Sequence, residues 1–267
     1  MTSTSLHPTP SSQTVAIEQF RAVGLALRKE AIFFIGALVV IGVLIVANAV
    51  HFMQTHPYAN VHTAYSMGFT YGVAGAIPIC FLAVIIPFGV WRAEDPSRRA
   101  YHWSMPVARG PHTIAKFLSG WAWVMIASAV YLLFIILLAT VLSTISGEAN
   151  TLGNTPAWEW IVAFTSTTLA YFLISIPVIA SDHAWQWIVG LYVGYWVLIG
   201  FLTSFGLPEA SRLLRTIGGG TYGLDAATFG GGTYVHGLSM SNWLIAMPLW
   251  IIGSAIAVTV ASYRHRE

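Results

Sequence analysis

Residues Trp91 to Lys116 have the sequence WRAEDPSRRAYHWSMPVARGPHTIAK, and this polar stretch lies between two long apolar segments. It holds five of the twelve Lys and Arg residues of a chain in which only 8% of the residues are charged. Because Lys and Arg concentrate in cytoplasmic loops, the position of this stretch orients the helices on either side of it. We therefore expect a cytoplasmic loop that is accessible to a soluble partner.

The composition of the rest of the chain predicts a membrane protein. Of its 267 residues 56% are hydrophobic, and the mean hydropathy is +0.70. A soluble domain carries about 25% charged residues, so this chain has too much apolar surface to fold away from water. No basic patch with interleaved aromatic residues is present, so nucleic acid is not an expected partner. Cys80 is the only cysteine, which excludes a disulfide within the chain.

Six segments are long enough to cross a bilayer, since roughly 20 apolar residues at 1.5 Å each cover about 30 Å. We predict spans at 31–52, 69–91, 114–141, 158–180, 184–207 and 243–263. The first span is too long, and too far from the start of the chain, to be a cleaved signal peptide. Only three residues separate the fourth span from the fifth, so these two helices should form a tight hairpin. The predicted fold is an all-α membrane protein with six transmembrane helices.

The two ends of the chain differ from the six-helix domain, which covers residues 31–263. Residues 1–14 are rich in Ser, Thr and Pro and are predicted to be disordered. Residues 15–30 carry apolar side chains at helical spacing with charges around them, which predicts an amphipathic helix in the membrane interface. A simple amphipathic lead-in to the first span fits the same pattern. Residues 264–267 form a short tail.

The positive charges orient this topology. Six spans is an even number, so both termini lie on one side. One side holds ten basic residues and the other holds two, which places both termini and the 92–112 loop in the cytoplasm. The ten are Arg21, Arg28, Lys29, Arg92, Arg98, Arg99, Arg109, Lys116, Arg264 and Arg266, and the two are Arg212 and Arg215.

The long external loop, residues 206–242, contains a near repeat. The sequence Gly-Gly-Gly-Thr-Tyr occurs at 218–222 and again at 230–234. We expect short helices at 209–216 and 224–229. The repeats are either two flexible turns or part of a short re-entrant gate, and the length of the loop favours re-entrant or interfacial structure. The candidate gate residues are Gly218, Gly219, Gly220, Gly230, Gly231 and Gly232.

Several activities lack the residues they need. No Asp or Glu lies near the middle of a span, although carriers driven by protons or sodium usually bury one there. The chain has no GxxxxGK[ST] phosphate loop and no HExxH or GxSxG motif, so we expect no catalysis and no cofactor in this chain. If it transports a substrate, the energy has to come from another protein. The spacing Gly190-x-x-x-Gly194 allows close helix packing, either within the subunit or between subunits.

The histidines suggest an alternative function. His51, His56, His62 and His236 would all face the outside, and imidazole is a common metal ligand. Their irregular spacing is weak support for a membrane redox or metal protein, but this class remains an alternative. Interfacial histidines that bond to water or headgroups are the simpler interpretation.

The 92–112 loop also has two interpretations. Its charges alternate in sign, and a short helix is plausible from about Pro96 to Trp103, with proline in its first turn. Such a helix can dock into a groove of a soluble protein. Alternatively the arginines only orient the spans and contact anionic lipids. A membrane anchor that recruits a soluble protein without transporting anything would use the same loop.

The residues of this loop resemble a known family. The stretches Glu94-Asp95-Pro96-Ser97-Arg98-Arg99, Ser104-Met105-Pro106-Val107-Ala108-Arg109 and Lys116-Phe117-Leu118 are similar to the loop of ABC-2 type ABC transporter permease subunits. That family has a Glu after the second helix, a small-hydrophobic-Pro-Val/Ile-Ser-Arg box, and a Lys that opens the third helix. The chain departs from it at 97–100, where Gly-Thr or Gly-Ser is common, and at Ala108. The interfacial helix, the six spans and the long external loop match the family layout.

The resemblance implies a non-catalytic exporter subunit of a bacterial inner membrane. Two permease subunits, identical or different, would pair in the lipid, with substrate passing between them and the 206–242 loop as the external gate. Two ATP-binding cassette ATPase subunits would bind ATP and Mg and dock below. The helix around Glu94–Trp103 would couple the two parts, with Glu94 in a salt bridge to the ATPase and Arg109 and Lys116 anchoring the loop to lipid or partner. The implied coupling residues are Glu94, Asp95, Pro96, Arg98, Arg99, Trp103, Pro106, Arg109 and Lys116.

Overall fold

A computed structural model of the chain describes residues 12–55, 73–91, 109–147, 157–229 and 240–264. Its regular structure within these ranges is entirely α-helical. The helices are α1 (Ser12–Ala26), α2 (Arg28–Thr55), α3 (Val73–Trp91), α4 (Arg109–Ser146), α5 (Ala157–Ala180), α6 (Ala184–Ser204), α7 (Pro208–Gly219), α8 (Leu224–Phe229) and α9 (Met240–Arg264).

Five of these helices, α2, α4, α5, α6 and α9, are long and apolar enough to cross a membrane. They indicate a multi-pass membrane protein, so the predicted all-α membrane class is confirmed at this level. The second predicted span, 69–91, corresponds to α3, which has 19 residues in the described part of the chain. Residues 69–72 lie outside it.

Helix α5 is at the centre of the bundle. It packs most extensively against α3 and α9 and also contacts α4, α6 and α8. Its buried faces carry small hydroxyl side chains, and Ser166, Thr167 and Ser175 are fully buried. The Thr167 hydroxyl donates to the Ala163 carbonyl one turn back in the same helix at 2.6 Å. The single Ser166 O–H lies within reach of two carbonyls, that of Val162 in the same helix and that of Thr228 in α8. Small side chains whose hydrogen bonds are satisfied within their own helix let neighbouring backbones approach closely without hydrocarbon-exposed polar groups.

The largest apolar cluster lies at the end of the bundle where α1 packs, which we call the α1 end. It joins α1, α3, α4, α5 and α9 around the buried side chains of Val23, Val90, Phe117, Tyr171 and Val258. Helix α2 stands outside this cluster and packs along α4 through two smaller ones. Among the described residues, α6 contributes to none of the four apolar clusters.

Helix α1 is joined to α2 by a very short connection. Helix α1 ends at Ala26 and α2 starts at Arg28. The Leu27 N–H donates to the Val23 carbonyl and the Ala31 N–H to the Leu27 carbonyl, so helical hydrogen bonds continue through this one-residue break and α1 leads directly into the first span. Helix α1 begins at Ser12, three residues before the start that the sequence predicts.

Helices α5 and α6 are joined by the three residues 181–183, the tight hairpin that the sequence predicts. The His183 N–H donates to the hydroxyl oxygen of Ser181 at 3.0 Å and stabilises this turn.

Candidate functional site

The helices on either side of the 92–108 segment are in contact at the α1 end. Trp91 is the last residue of α3, and Lys116 lies in the second turn of α4. The Lys116 Nζ is 4.6 Å from the centre of the Trp91 ring, and the lysine is only 7% exposed. A cation held against the face of a tryptophan contributes up to about 2 kcal/mol when it is desolvated. The pair therefore fixes the spacing of α3 and α4 where the loop leaves and returns.

Most of the predicted coupling residues lie in this loop, outside the described residues. Those are Glu94, Asp95, Pro96, Arg98, Arg99, Trp103 and Pro106. The helix predicted at 96–103 lies there too. Arg109 is the first residue of α4. Of the predicted coupling residues, Lys116 is the one whose side-chain surroundings lie in the described part of the chain. Its contact with Trp91 was not predicted from the sequence.

The first turns of α4 are clamped to α5. The Tyr171 hydroxyl donates to the Phe117 carbonyl at 2.9 Å, and the two rings stack with their centroids 5.2 Å apart. Gly120 lies under the same hydroxyl, where a Cβ atom would collide with the Tyr171 oxygen. Glycine at position 120 therefore lets the two helices approach this closely. The interaction between residues 117 and 171 has no local sequence signal.

Helix α1 docks on the same part of α4. The Phe20 ring stacks on Trp123 with centroids 5.1 Å apart, and the Trp123 Nε1–H donates to the Phe20 carbonyl at 3.1 Å. Gln19 Nε2 and His112 Nε2 are 2.9 Å apart, within hydrogen-bonding distance. A Cβ atom on Gly24 would lie 2.5 Å from the Trp123 ring, so the two helices meet at that glycine. The amphipathic helix expected from the sequence is thus packed against the helix that follows the loop.

These contacts join the loop ends to three helices. We use the name loop-end cluster for Trp91, Lys116, Phe117, Gly120 and Tyr171. It belongs to α3, α4 and α5, and α1 packs beside it through Trp123. A displacement of the loop ends therefore has to move α3, α4 and α5 or break well-packed contacts.

At the other end of the bundle, α7 folds back along α6. The reversal occurs at Gly206, whose φ of 72° favours glycine. The Thr203 and Ser211 hydroxyl oxygens are 3.0 Å apart, and further along the Tyr195 hydroxyl donates to the Leu214 carbonyl at 3.2 Å. A Cβ atom on Gly218 would lie 2.5 Å from the Tyr195 hydroxyl oxygen. Contacts at two positions of α6, Thr203 and Tyr195, therefore hold α7 antiparallel to α6.

The predicted gate glycines fall on both sides of the described boundary. Gly218 and Gly219 end α7, and Gly220 is its C-cap residue, with its N–H donating to the Thr216 carbonyl at 3.0 Å. A Cβ atom on Gly220 would collide with that same carbonyl oxygen, so the tight turn after α7 requires glycine there. The second triplet, Gly230, Gly231 and Gly232, lies outside the described residues.

Helix α8 returns from this turn and is wedged between α5 and α9. Ala226 and Ala227 are fully buried against Leu169 of α5 and Ala246 of α9. The Ser166 hydroxyl donates to the Thr228 carbonyl. We use the name α7–α8 hairpin for residues 208–229. Its second arm, α8, packs small side chains against two long helices.

The turn of the hairpin lies about half-way along the helices around it. Tyr195, which contacts the end of α7, is the twelfth of the 21 residues of α6. Trp250, whose Nε1–H donates to the Tyr222 carbonyl at 3.1 Å, is the eleventh of the 25 residues of α9. Leu169 is the thirteenth of the 24 residues of α5. The turn of the hairpin therefore lies at the middle of the bundle and not at its end.

The predicted histidine site is only partly within the described residues. His51 lies near the end of α2, whereas His56, His62 and His236 lie outside the described part of the chain. Within that part, no group of three or more His, Cys, Asp or Glu side chains is arranged to hold a metal ion.

Comparison of the chain with family models, with curated proteins and with solved structures finds no match.

Proposed function

We propose that this chain is the transmembrane permease subunit of an ABC exporter in a bacterial inner membrane. In this proposal α2, α3, α4, α5, α6 and α9 are its six spans, and both termini and the 92–112 loop are cytoplasmic. The chain forms the translocation pathway with a second permease subunit, identical or different. Separate ATP-binding cassette subunits bind ATP and Mg and supply the energy through the loop.

The observation that carries the proposal is the α7–α8 hairpin. If α5, α6 and α9 span the bilayer, the turn at 219–223 lies near its midplane. Arg215 follows Leu214, which meets Tyr195 half-way along α6, and its side chain is exposed. An arginine at that depth costs about 2.5–3.5 kcal/mol or more against lipid, so it should face water or another subunit. A hairpin with an exposed arginine near the midplane suits the wall and external gate of a passage.

Helix α5 is the element that would transmit motion between the loop and this gate. Tyr171 belongs to the loop-end cluster, and Ser166 binds the α8 backbone five residues earlier on the same helix, about 7.5 Å away. Closure of the ATPase pair would push on the loop, and the loop-end cluster would pass that displacement to α5. Because α8 is wedged against α5, a shift of α5 would move the hairpin.

The loop supplies the contact with the ATPase in this proposal. Glu94 and Asp95 would pair with basic residues of the partner, and Arg98 and Arg99 with acidic residues or lipid headgroups. The support is the resemblance of residues 94–109 and 116–118 to the ABC-2 permease loop. The Trp91–Lys116 contact also supports the proposal, because it joins the end of α3 to α4. A force on the loop would therefore act on both helices together.

Charge reversal in the loop tests the proposal. The chain is expressed with its genomic neighbours, and a subunit with ATP-binding cassette sequence motifs is sought by co-purification. Combining Glu94→Lys, Asp95→Lys and Arg98→Glu should abolish the association and any stimulation of ATP hydrolysis, while the chain still inserts into the membrane. Glu18→Lys is the control, because this exposed α1 carboxylate lies outside the loop. Unchanged association and hydrolysis in the triple variant would contradict the proposal.

A further inference from the structure

A cavity of about 770 Å³ lies beside the tip of the α7–α8 hairpin. Helix α5 contributes Leu173 to its wall, α7 contributes Leu213, α9 contributes Leu249, and the turn contributes Thr221 and Tyr222. None of the described residues that line it is charged. Its size falls in the range of about 300–1,000 Å³ typical of sites for small ligands.

The wall of this cavity presents an apolar surface, although several lining residues carry polar groups. The Thr216 hydroxyl donates to the Arg212 carbonyl at 2.9 Å, and the Ser254 hydroxyl donates to the Ile251 carbonyl at 3.0 Å. The Trp250 Nε1–H donates to the Tyr222 carbonyl. These three donors are satisfied within the protein, and the other lining hydroxyls, those of Thr221 and Tyr222, both belong to the turn. The rest of the wall therefore favours an occupant that needs no hydrogen bonds.

The cavity is elongated and lies on one side of the hairpin tip. On α9 its wall runs from Leu249 to Ala257, which is about 12 Å of helix. These are the tenth and eighteenth of the 25 residues of α9, so the cavity extends from the middle of the bundle towards the α1 end. Leu213, Ile217 and Leu249 are largely exposed, so it opens sideways to the surroundings of the bundle.

We propose that this cavity binds the alkyl chain of an amphiphilic cargo, which enters sideways from the cytoplasmic leaflet. The inference rests on the proposed function, in which the α1 end is cytoplasmic and the hairpin turn is the gate. The cavity then lies at the depth of the acyl chains of that leaflet, with the turn closing it at the midplane. The uncharged wall accepts the chain, and the polar head of the cargo stays outside the cavity.

Selection in this site depends on shape. Membrane lipid is as apolar as the wall, so transfer from water does not favour the bound state. A chain gains by filling a preformed cavity whose packed wall atoms make better dispersion contacts than mobile lipid does. A single chain of limited length should therefore be preferred to a two-chain lipid.

The test labels the site directly. The full-length chain is placed in nanodiscs of phosphatidylethanolamine and phosphatidylglycerol with a single-chain alkyl phosphate that carries a diazirine at the chain end. After irradiation, labelled peptides are identified by mass spectrometry. The segments Leu249–Ala257 and Leu213–Tyr222 should be labelled far more strongly than the lipid-exposed surface of α2, and an unlabelled single-chain amphiphile should compete.

Gly253→Phe tests whether the cavity is the cause of that labelling. Gly253 lines the cavity, and a Cβ atom there meets nothing within 4 Å, so a side chain can be added without a clash at Cβ and the new ring takes up part of the cavity. Labelling of Leu249–Ala257 should fall several-fold. Gly36→Phe on α2 is the matched control, because that glycine also faces open space, and it should leave labelling unchanged. Leu249→Ala enlarges the cavity and should raise the labelling. A rise distinguishes an effect on the cavity from a loss of folding, which would lower the labelling.

Two results separate this inference from the proposed function. Labelling that is equal on α2 and α9 and unaffected by Gly253→Phe would overturn the alkyl site, whatever the ATPase does. Specific labelling of the cavity in a chain that shows no ATPase association would overturn the cargo role, because the site would then belong to a protein that is not a permease.

Discussion

Helices α5 and α6 are neighbours joined by three residues, yet they differ sharply in burial. In the most apolar 18-residue stretch of α5, 44% of the residues are buried, compared with 6% in α6. Their mean hydropathies over those stretches are almost the same, at 1.8 and 1.6. Hydropathy therefore does not distinguish a span that faces protein from one that faces outwards.

The side chains of the two helices explain the difference. Helix α5 buries small hydroxyl residues, including Thr167, which bonds within its own helix, and Ser166, which lies within reach of carbonyls of both α5 and α8, and these small side chains allow close packing. Helix α6 exposes large aromatic residues, including Trp185, Tyr192 and Trp196. When the solvent is lipid, burial follows side-chain size and hydrogen bonding rather than apolarity. Substitutions at matched positions test this comparison.

The largest expected effect is at the contact between α4 and α5. Gly120→Leu places a side chain where the Tyr171 hydroxyl lies, and the fully buried tyrosine has no space to move into. We expect a loss of about 3 kcal/mol, since overpacking a tight contact typically costs 1–3 kcal/mol. The same change at Gly194 on α6, where a Cβ atom meets nothing within 4 Å, should stay within about 0.5 kcal/mol. Thermal unfolding in detergent measures both, and equal losses would contradict the comparison.

A tryptophan pair tests the docking of α1. Trp123→Ala removes the ring that stacks on Phe20 and the hydrogen bond to its carbonyl, so we expect about 2 kcal/mol of destabilisation, below the 3–5 kcal/mol of a fully buried tryptophan. Limited proteolysis should then cut α1 more readily than in the wild type. Trp187→Ala on α6, where the tryptophan is 58% exposed, should change neither stability nor proteolysis. A protected α1 in Trp123→Ala would show that other contacts hold it.

A smaller effect is expected from a single hydrogen bond. Tyr171→Phe keeps the stacked ring but leaves the Phe117 carbonyl without its donor, which should cost about 1 kcal/mol. The exposed Tyr192 provides the control, since Tyr192→Phe should have no measurable effect on the unfolding midpoint. In the double variant Gly120→Ala with Tyr171→Phe, loss of the hydroxyl should relieve part of the collision. Additive losses would show that the hydroxyl is not what excludes a side chain at position 120.

The comparison also marks what the sequence can and cannot predict. Apolar length predicts the long helices, and turn-forming residues predict the short ones, including a helix at 224–229 where α8 lies. The 181–183 hairpin follows from the short polar interval between two apolar runs. These features depend on neighbours in sequence, which is why periodicity and composition reveal them.

The contacts of the candidate site depend on distant residues instead. Lys116 is an expected loop anchor, but its packing on Trp91 requires α3 and α4 to be brought together first. The Gly120–Tyr171 contact joins two spans, and no spacing rule relates them. Likewise the glycine triplet at 218–220 predicts a turn, whereas its position half-way along the bundle comes from Tyr195 and Trp250 on two other helices.

Substitutions of the exposed glycines of α6 should have the smallest effect on the fold. They test whether lipid or a second subunit covers this helix. Among the described residues a Cβ atom on Gly190 or Gly194 meets nothing within 4 Å, so that part of the chain does not use this motif for packing within the subunit. If a second permease subunit covers them, combining Gly190→Leu and Gly194→Leu should leave thermal unfolding of the isolated chain unchanged and weaken subunit pairing, measured by crosslinking in nanodiscs. Gly200→Leu is the control, since it lies about 100° around the helix and also faces open space. If pairing is equal in all variants, lipid covers this face, and the second subunit must pack elsewhere.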